Sequence, residues 1–132
     1  MAVLYVDDDA TICWLMAREW KNAFPGVPVH TASAPLEALA KVEQLGEALQ
    51  AVVADWRLIG TTSRGLVEEL RVRRPALCII ATSAALDSRQ IEAAREAGAD
   101  DFVEKDLSMP VFVRRLGNVI EQNIGKRGGE KR

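Results

Sequence analysis

With 132 residues, 48% apolar and 27% charged, the chain suits one globular domain, too short for two and too apolar for disorder. A net charge of −2 argues neither for nor against nucleic acid or membrane surfaces, and the longest apolar runs fall far short of a bilayer-spanning helix. Met1-Ala2 leads straight into an apolar run with no basic segment or cleavage site, so a cytoplasmic protein is expected.

Ala2 to Val6 (AVLYV) is a buried-type strand that ends in Asp7, Asp8 and Asp9. A helix comes next, with Ile12, Leu15, Met16, Trp20, Ala23 and Phe24 on one face and Asp9 placed to cap it. Phe24-Pro25-Gly26 stops it. Val27 to Ala32 is a second strand, and Pro28 suggests an edge position. Ser33, with Pro35 in the first turn, opens a second helix in which Ala38, Val42, Leu45 and Leu49 repeat at helical intervals. Ala51 to Ala54 is a third strand, unalternating and therefore buried on both faces, and it stops on Asp55. Residues 59–64 form a polar loop, and a third helix runs from about Gly65 with Leu66, Val67 and Leu70 inward and a basic, solvated end at Arg71, Arg73 and Arg74.

Leu77 to Thr82 is the fourth strand, with Ser83-Ala84-Ala85 as its exit. Asp87 and Gln90 have capping-box spacing for a fourth helix that stops at Gly98. Asp101 to Glu104 is a short fifth strand leading to Lys105. Pro110 begins the last helix, which carries Phe112, Leu116, Val119 and Ile120 on one stripe. The domain is assigned to residues 1–124, and 125–132, Gly-rich and basic, to a flexible tail or the start of a linker. Cys13 and Cys78 lack CxxC spacing and read as small buried apolar residues, and Trp14, Trp20 and Trp56 mostly as packing.

Five βα repeats call for right-handed crossovers and helices on both faces of a five-stranded parallel sheet, a three-layer doubly wound α/β fold. Parallel strands bring their carboxyl ends to one edge, where such sheets collect ligands. Asp7 and Asp8, Asp55, Ser83 and Lys105 lie at four of those strand ends. Three carboxylates at one edge repel one another unless a cation joins them, and an oxygen-only set suits Mg²⁺. A carboxylate nucleophile, a metal, an ammonium and a hydroxyl are the parts that acyl-phosphate formation requires.

These residues sit in segments that resemble the receiver domains of two-component response regulators. VLYVDDDATI resembles their acidic-pair segment, VVADWRL their phosphoacceptor strand, IIATSA their Ser/Thr strand and AREAGADDFVEK the segment ending in their lysine. The resemblance runs from Ala2 to about Ile124 and implies a flavodoxin-like strand order 2-1-3-4-5. It also implies that Asp55 accepts phosphate and that Asp7, Asp8, Asp55 and the Arg57 backbone carbonyl hold Mg²⁺. Family spacing places the switch hydroxyl at Ser83 rather than Thr82, and Phe102 stands where the aromatic switch residue falls. The implied partners are a sensor histidine kinase or phosphotransfer protein, and a homodimer through the fourth helix, fifth strand and fifth helix. No direct nucleic-acid or membrane binding is implied, and no enzyme activity beyond self-catalysed phosphorylation and dephosphorylation.

Three positions depart from the pattern. Asp106 replaces the usual proline after the lysine, so a trans bond and a differently shaped loop are expected. The stretch after Asp55 lacks Met-Pro and is about two residues longer, and Phe102 replaces the commoner tyrosine. The altered loop and Asp106 support an alternative, a phosphorylation-independent interaction module on the same fold. A phosphatase with an aspartyl nucleophile is a further rival, but it needs a second acid two residues on, where Arg57 stands. A dinucleotide-binding domain lacks its G-x-G-x-x-G.

Overall fold

The computed structural model describes residues 1–57, 63–85 and 87–130, with backbone only from 126 onward. Strands β1 (Ala2–Val6), β2 (Val29–Ala32), β3 (Leu49–Asp55), β4 (Cys78–Ser83) and β5 (Asp101–Glu104) pair in parallel in the order 2-1-3-4-5. Between and after them run α1 (Ala10–Ala23), α2 (Pro35–Leu45), α3 (Ser63–Arg73), α4 (Ser88–Ala97) and α5 (Met109–Glu130). This is the flavodoxin-like doubly wound fold that the repeat pattern and the resemblance imply.

The central strands are apolar at successive positions because both faces of the sheet are covered. Val3, Tyr5, Val53 and Ile80 pack against Met16 and Trp20 of α1 and Phe112, Leu116 and Ile120 of α5. Leu4, Val6, Val52 and Ile79 face the other way, onto Ala38 and Val42 of α2, Leu66, Val67 and Leu70 of α3, and Ala94 of α4. Two half-cores of this kind contribute most of the stability, since a buried leucine cut to alanine typically costs about 2–5 kcal/mol.

Local signals hold at most boundaries. Asp9 caps α1, accepting hydrogen bonds from the N–H groups of Thr11 and Ile12. Asp87 caps α4 through the Gln90 N–H, but the Gln90 side-chain oxygen is buried with no partner among the described residues, so only half of the capping box forms. β2 is an edge strand, as Pro28 suggests. Gly98 ends α4 at φ 120°, where an added Cβ would also stand 3.1 Å from the Arg71 side chain. Gly117 lets α5 approach α1, because the Phe24 ring occupies the place its Cβ would take.

Several boundaries differ. β2 begins at Val29 rather than Val27, its lead-in taken up by the turn after α1. Leu49 is not part of α2 but the first residue of β3, since a 3₁₀ turn at Gly46–Ala48 breaks the helical repeat. The inward face of α1 is Cys13, Met16 and Trp20; Leu15 and Ala23 are exposed, because α1 lies across both the sheet and α5. Trp14 is not packing either: it is 60% exposed, with the Arg18 guanidinium 5.4 Å from its ring centre. α3 starts at Ser63, inside the stretch expected to be a loop, whose residues 59–62 lie outside the described ones. Ser83 closes β4 instead of leaving it, held by its register with Glu104. The α5 backbone remains helical past Gly125, where composition suggests a tail.

The basic residues at the end of α3 and just beyond it are the largest correction. Arg71 donates to the carbonyls of Gly98, Pro75 and Leu77 and pairs with Asp100 at 2.7 Å. Arg74 donates to the carbonyls of Gly46 and Leu49. These two are cross-ties between turns, and Arg73, paired with Glu69 four residues earlier, is the solvated one.

Candidate functional site

Strand alternation decides which side chains meet at the carboxyl edge. Tyr5 and Asp7, two residues apart, point to the same face, and the phenol donates to Asp7 Oδ2 at 2.8 Å. The Lys105 ammonium, arriving from the end of β5, reaches the same oxygen at 2.7 Å. The Asp9 N–H satisfies Asp7 Oδ1 at 3.0 Å. Asp55, at the end of β3, accepts from the Arg57 N–H at 3.2 Å, and its other oxygen lies 3.5 Å from Lys105. Asp7, Asp8 and Asp55 each offer an oxygen within 4.8 Å of the others. The structure therefore brings together four of the expected site residues: Asp7, Asp8, Asp55 and Lys105.

Burial is uneven across this group. Asp7 is 1% exposed and Asp55 6%, whereas Asp8 is half-buried. The two buried acids are pushed in opposite directions. Burial raises the Asp7 carboxyl, but Lys105, the Asp9 N–H and the Tyr5 hydroxyl outweigh it and hold the group below the usual carboxylate range. Burial also raises Asp55, and there the Arg57 N–H and Lys105 only partly offset it, with the charge of Asp7 adding to the rise. Tyr5 is held far above the ordinary phenol value by burial and by Asp7, so it stays a donor. Burial and Asp7 push the nearby Cys13 thiol up to about 11.

Three carboxylates face one ammonium, a set short of positive charge and made of oxygen donors alone. A hard divalent ion such as Mg²⁺ fits that donor set. Ser83 Oγ is buried and has no hydrogen-bond partner among the described residues. Its neighbour Thr82 is engaged elsewhere, donating to the Val103 carbonyl at 2.7 Å. The two hydroxyls thus differ: one is committed to the sheet and the other is without a partner among the described residues.

Phe102 is partly buried on β5, with the Arg95 guanidinium 5.5 Å from its ring centre. Trp56, next to Asp55, is partly buried against the core, and its N–H donates to the Thr82 carbonyl. Asp106 is joined to Lys105 through a trans peptide. Its carboxylate accepts from the Ser108 N–H at 2.8 Å and lies 3.4 Å from Arg115, so it shapes the start of α5 and stands apart from the acid cluster. Two side chains that touch the site have no role in the sequence motifs, Tyr5 and Ser63. The Tyr5 phenol was legible as a same-face neighbour of Asp7, whereas no local pattern signalled that Ser63 Oγ donates to the Asp55 carbonyl at 2.7 Å.

Fold and site together define a class: a doubly wound α/β domain with an acid triad and a lysine at the carboxyl edge of its sheet. Residues 3–116 match the family model described as the response regulator receiver domain, and the chain belongs to that family. Its members are signalling domains of two-component systems rather than classical enzymes, and the Asp7, Asp8 and Asp55 pocket fits their phosphoacceptor site.

Among curated relatives, the transcriptional regulatory protein AruR of Pseudomonas aeruginosa is 33% identical over 121 residues, covering 91% of this chain and 49% of that protein. The transcriptional activator protein ExaE of Pseudomonas putida is 28% identical, covering 91% and 55%. The chain thus spans about half the length of these two relatives. The receiver domain of NtrX from Brucella abortus superposes with a TM-score of 0.78 at 27% identity, covering 93% of this chain and 98% of that one. A CheY-like receiver domain protein from Methanospirillum hungatei shares the fold with a TM-score of 0.78 at 22% identity, covering 95% and 97%. Among the described residues, no helix is long and apolar enough to cross a membrane.

Proposed function

We propose that Asp55 is the phosphoacceptor of this receiver, charged by a sensor histidine kinase or phosphotransfer protein in the cytoplasm. The observation that carries this reading is the Lys105 ammonium, 2.7 Å from Asp7 and 3.5 Å from Asp55 within one acid cluster. Asp55 Oδ2 attacks phosphorus as the P–N bond of the donor phosphohistidine breaks, leaving an acyl phosphate on Asp55 and a free imidazole on the donor. Asp7, Asp8, Asp55 and the Arg57 carbonyl would hold Mg²⁺, which when bound supplies positive charge to the carboxylates and the incoming phosphoryl oxygens. Lys105 tracks the new charge as a point cation, and Asp7, already supplied by Tyr5 and the Asp9 N–H, can release it.

Ser83, with no partner among the described residues, gains one by donating to a phosphoryl oxygen. Its shift opens room for Phe102, and the α4–β5–α5 face changes with it, altering a homodimer or another partner contact. A cleft of about 290 Å³ beside Phe102, lined by Arg115, Asn118 and Val119 among others, lies on that face. Residues 1–124 form the receiver unit in this reading, and 125–132 a basic tail or the start of a linker.

Beryllofluoride with Mg²⁺ mimics the phosphoryl group, so it should change Trp56 fluorescence in the wild type and not in Asp55→Asn. Identical traces from the two proteins would sink the assignment.

A further inference from the structure

We infer that Ser63 is a positioning residue for Asp55, an inference that rests on the phosphoacceptor reading above. Among the described residues five polar side chains are buried: Asp7, Asp55, Ser63, Thr82 and Ser83. Ser63 is the one that comes from a helix, as the first residue of α3. Its hydroxyl proton is committed to the Asp55 carbonyl at 2.7 Å. The N–H of that same peptide is held from the other side, where Trp56 donates to the Thr82 carbonyl at 2.7 Å. The Asp55–Trp56 peptide is therefore clamped at its C=O by α3 and at its N–H by β4.

A peptide plane held at both ends cannot rotate, and its orientation aims the next residues of the chain. The donor it aims here is the Arg57 N–H, which bonds Asp55 Oδ1 at 3.2 Å. Through this link the Ser63 hydroxyl sets the direction of a backbone donor that orients the Asp55 carboxylate. Removing the hydroxyl takes a partner from a buried carbonyl and frees the plane. Hydrogen bonding and Lys105 then hold the carboxylate less firmly in line with the phosphorus. Small misplacements of a nucleophile carry large rate penalties, and we expect Ser63→Ala to lower the rate of phosphoryl uptake about tenfold.

The test is labelling of Asp55 by acetyl phosphate at saturating Mg²⁺, as a function of donor concentration, with thermal melting alongside. Ser63→Ala should lower the limiting rate with little change in half-saturating donor. Ser63→Thr, which keeps the hydroxyl, should restore it to within about twofold. Val67→Ala, in the same helix and buried in the apolar core, should melt earlier yet label at the wild-type rate. If Ser63→Ala does not fold, Ser63→Cys retains the volume with a weaker donor and should give an intermediate rate. Wild-type labelling by Ser63→Ala or Ser63→Cys, or an equal rate loss in Val67→Ala, overturns the proposal. Failure of the wild type itself to label removes the phosphoacceptor reading and this inference together.

Discussion

The two edges of the sheet use charge in opposite ways. At the carboxyl edge, three carboxylates meet one ammonium, and a buried hydroxyl lacks a partner among the described residues. At the amino edge, Arg71 and Arg74 place their guanidinium nitrogens on the carbonyls and carboxylate of the turns that lead into β3, β4 and β5. One edge is left electrostatically short, and the other is saturated. Helix α3 joins them, with Ser63 at the acid edge and Arg71 in its last turn at the other. A site that takes up charge, as proposed for the acid edge, has to leave some interactions unmade, and the amino edge makes its own.

The largest test of this contrast is chemical. Asp55→Asn should abolish phosphoryl uptake from acetyl phosphate, a fall of at least about a hundredfold, with the fold intact by circular dichroism. Labelling at the wild-type level would mean that the acid edge does not work through this residue.

The saturated edge should behave in reverse. Arg71→Ala takes one donor from Asp100, which keeps the Ile79 N–H, and the guanidinium donors from three carbonyls, and should cost about 2–4 kcal/mol in urea unfolding while phosphoryl uptake stays within about twofold. Arg73→Ala, whose partner is an exposed Glu69, should change stability by no more than about 0.5 kcal/mol. Equal losses from the two would erase the distinction between cross-tie and solvated pair.

The smallest expected effect is in the pH dependence of stability without metal. Asp7 is lowered in the fold, so its contribution is full above the unfolded carboxylate value and is lost as pH falls through the folded one. Asp55 is raised, so its contribution is present at low pH and is lost as pH rises through its folded value. Asp55→Asn should therefore show a higher urea midpoint than the wild type at pH 7, and the difference should shrink as pH falls into the carboxylate range. A gap that widened on acidification would reverse the sign assigned to Asp55.

Much of this was legible because it is local. Asp9 and Asp87 cap helices within three residues of themselves, Gly98 stops α4 where its backbone turns positive, and buried strands declare themselves by unbroken apolar runs. The acid site was legible for a related reason. In a parallel sheet every strand ends at the same edge, so Asp7, Asp8, Asp55 and Lys105 had to meet once the repeats were counted.

What the amino-acid order by itself determined was the periodic and the topological: five repeats, their caps, and which polar groups share an edge. Only the tertiary structure decided the partners of side chains across long separations, such as Arg71 with Asp100, Arg74 with Gly46, and Lys105 with Asp7 in preference to Asp55. It also decided that Trp14 faces outward and that Ser63 turns back to Asp55. Periodicity reports only what lies within a turn or two along the chain, whereas these contacts depend on the summed register and crossing of several elements, which no short window contains.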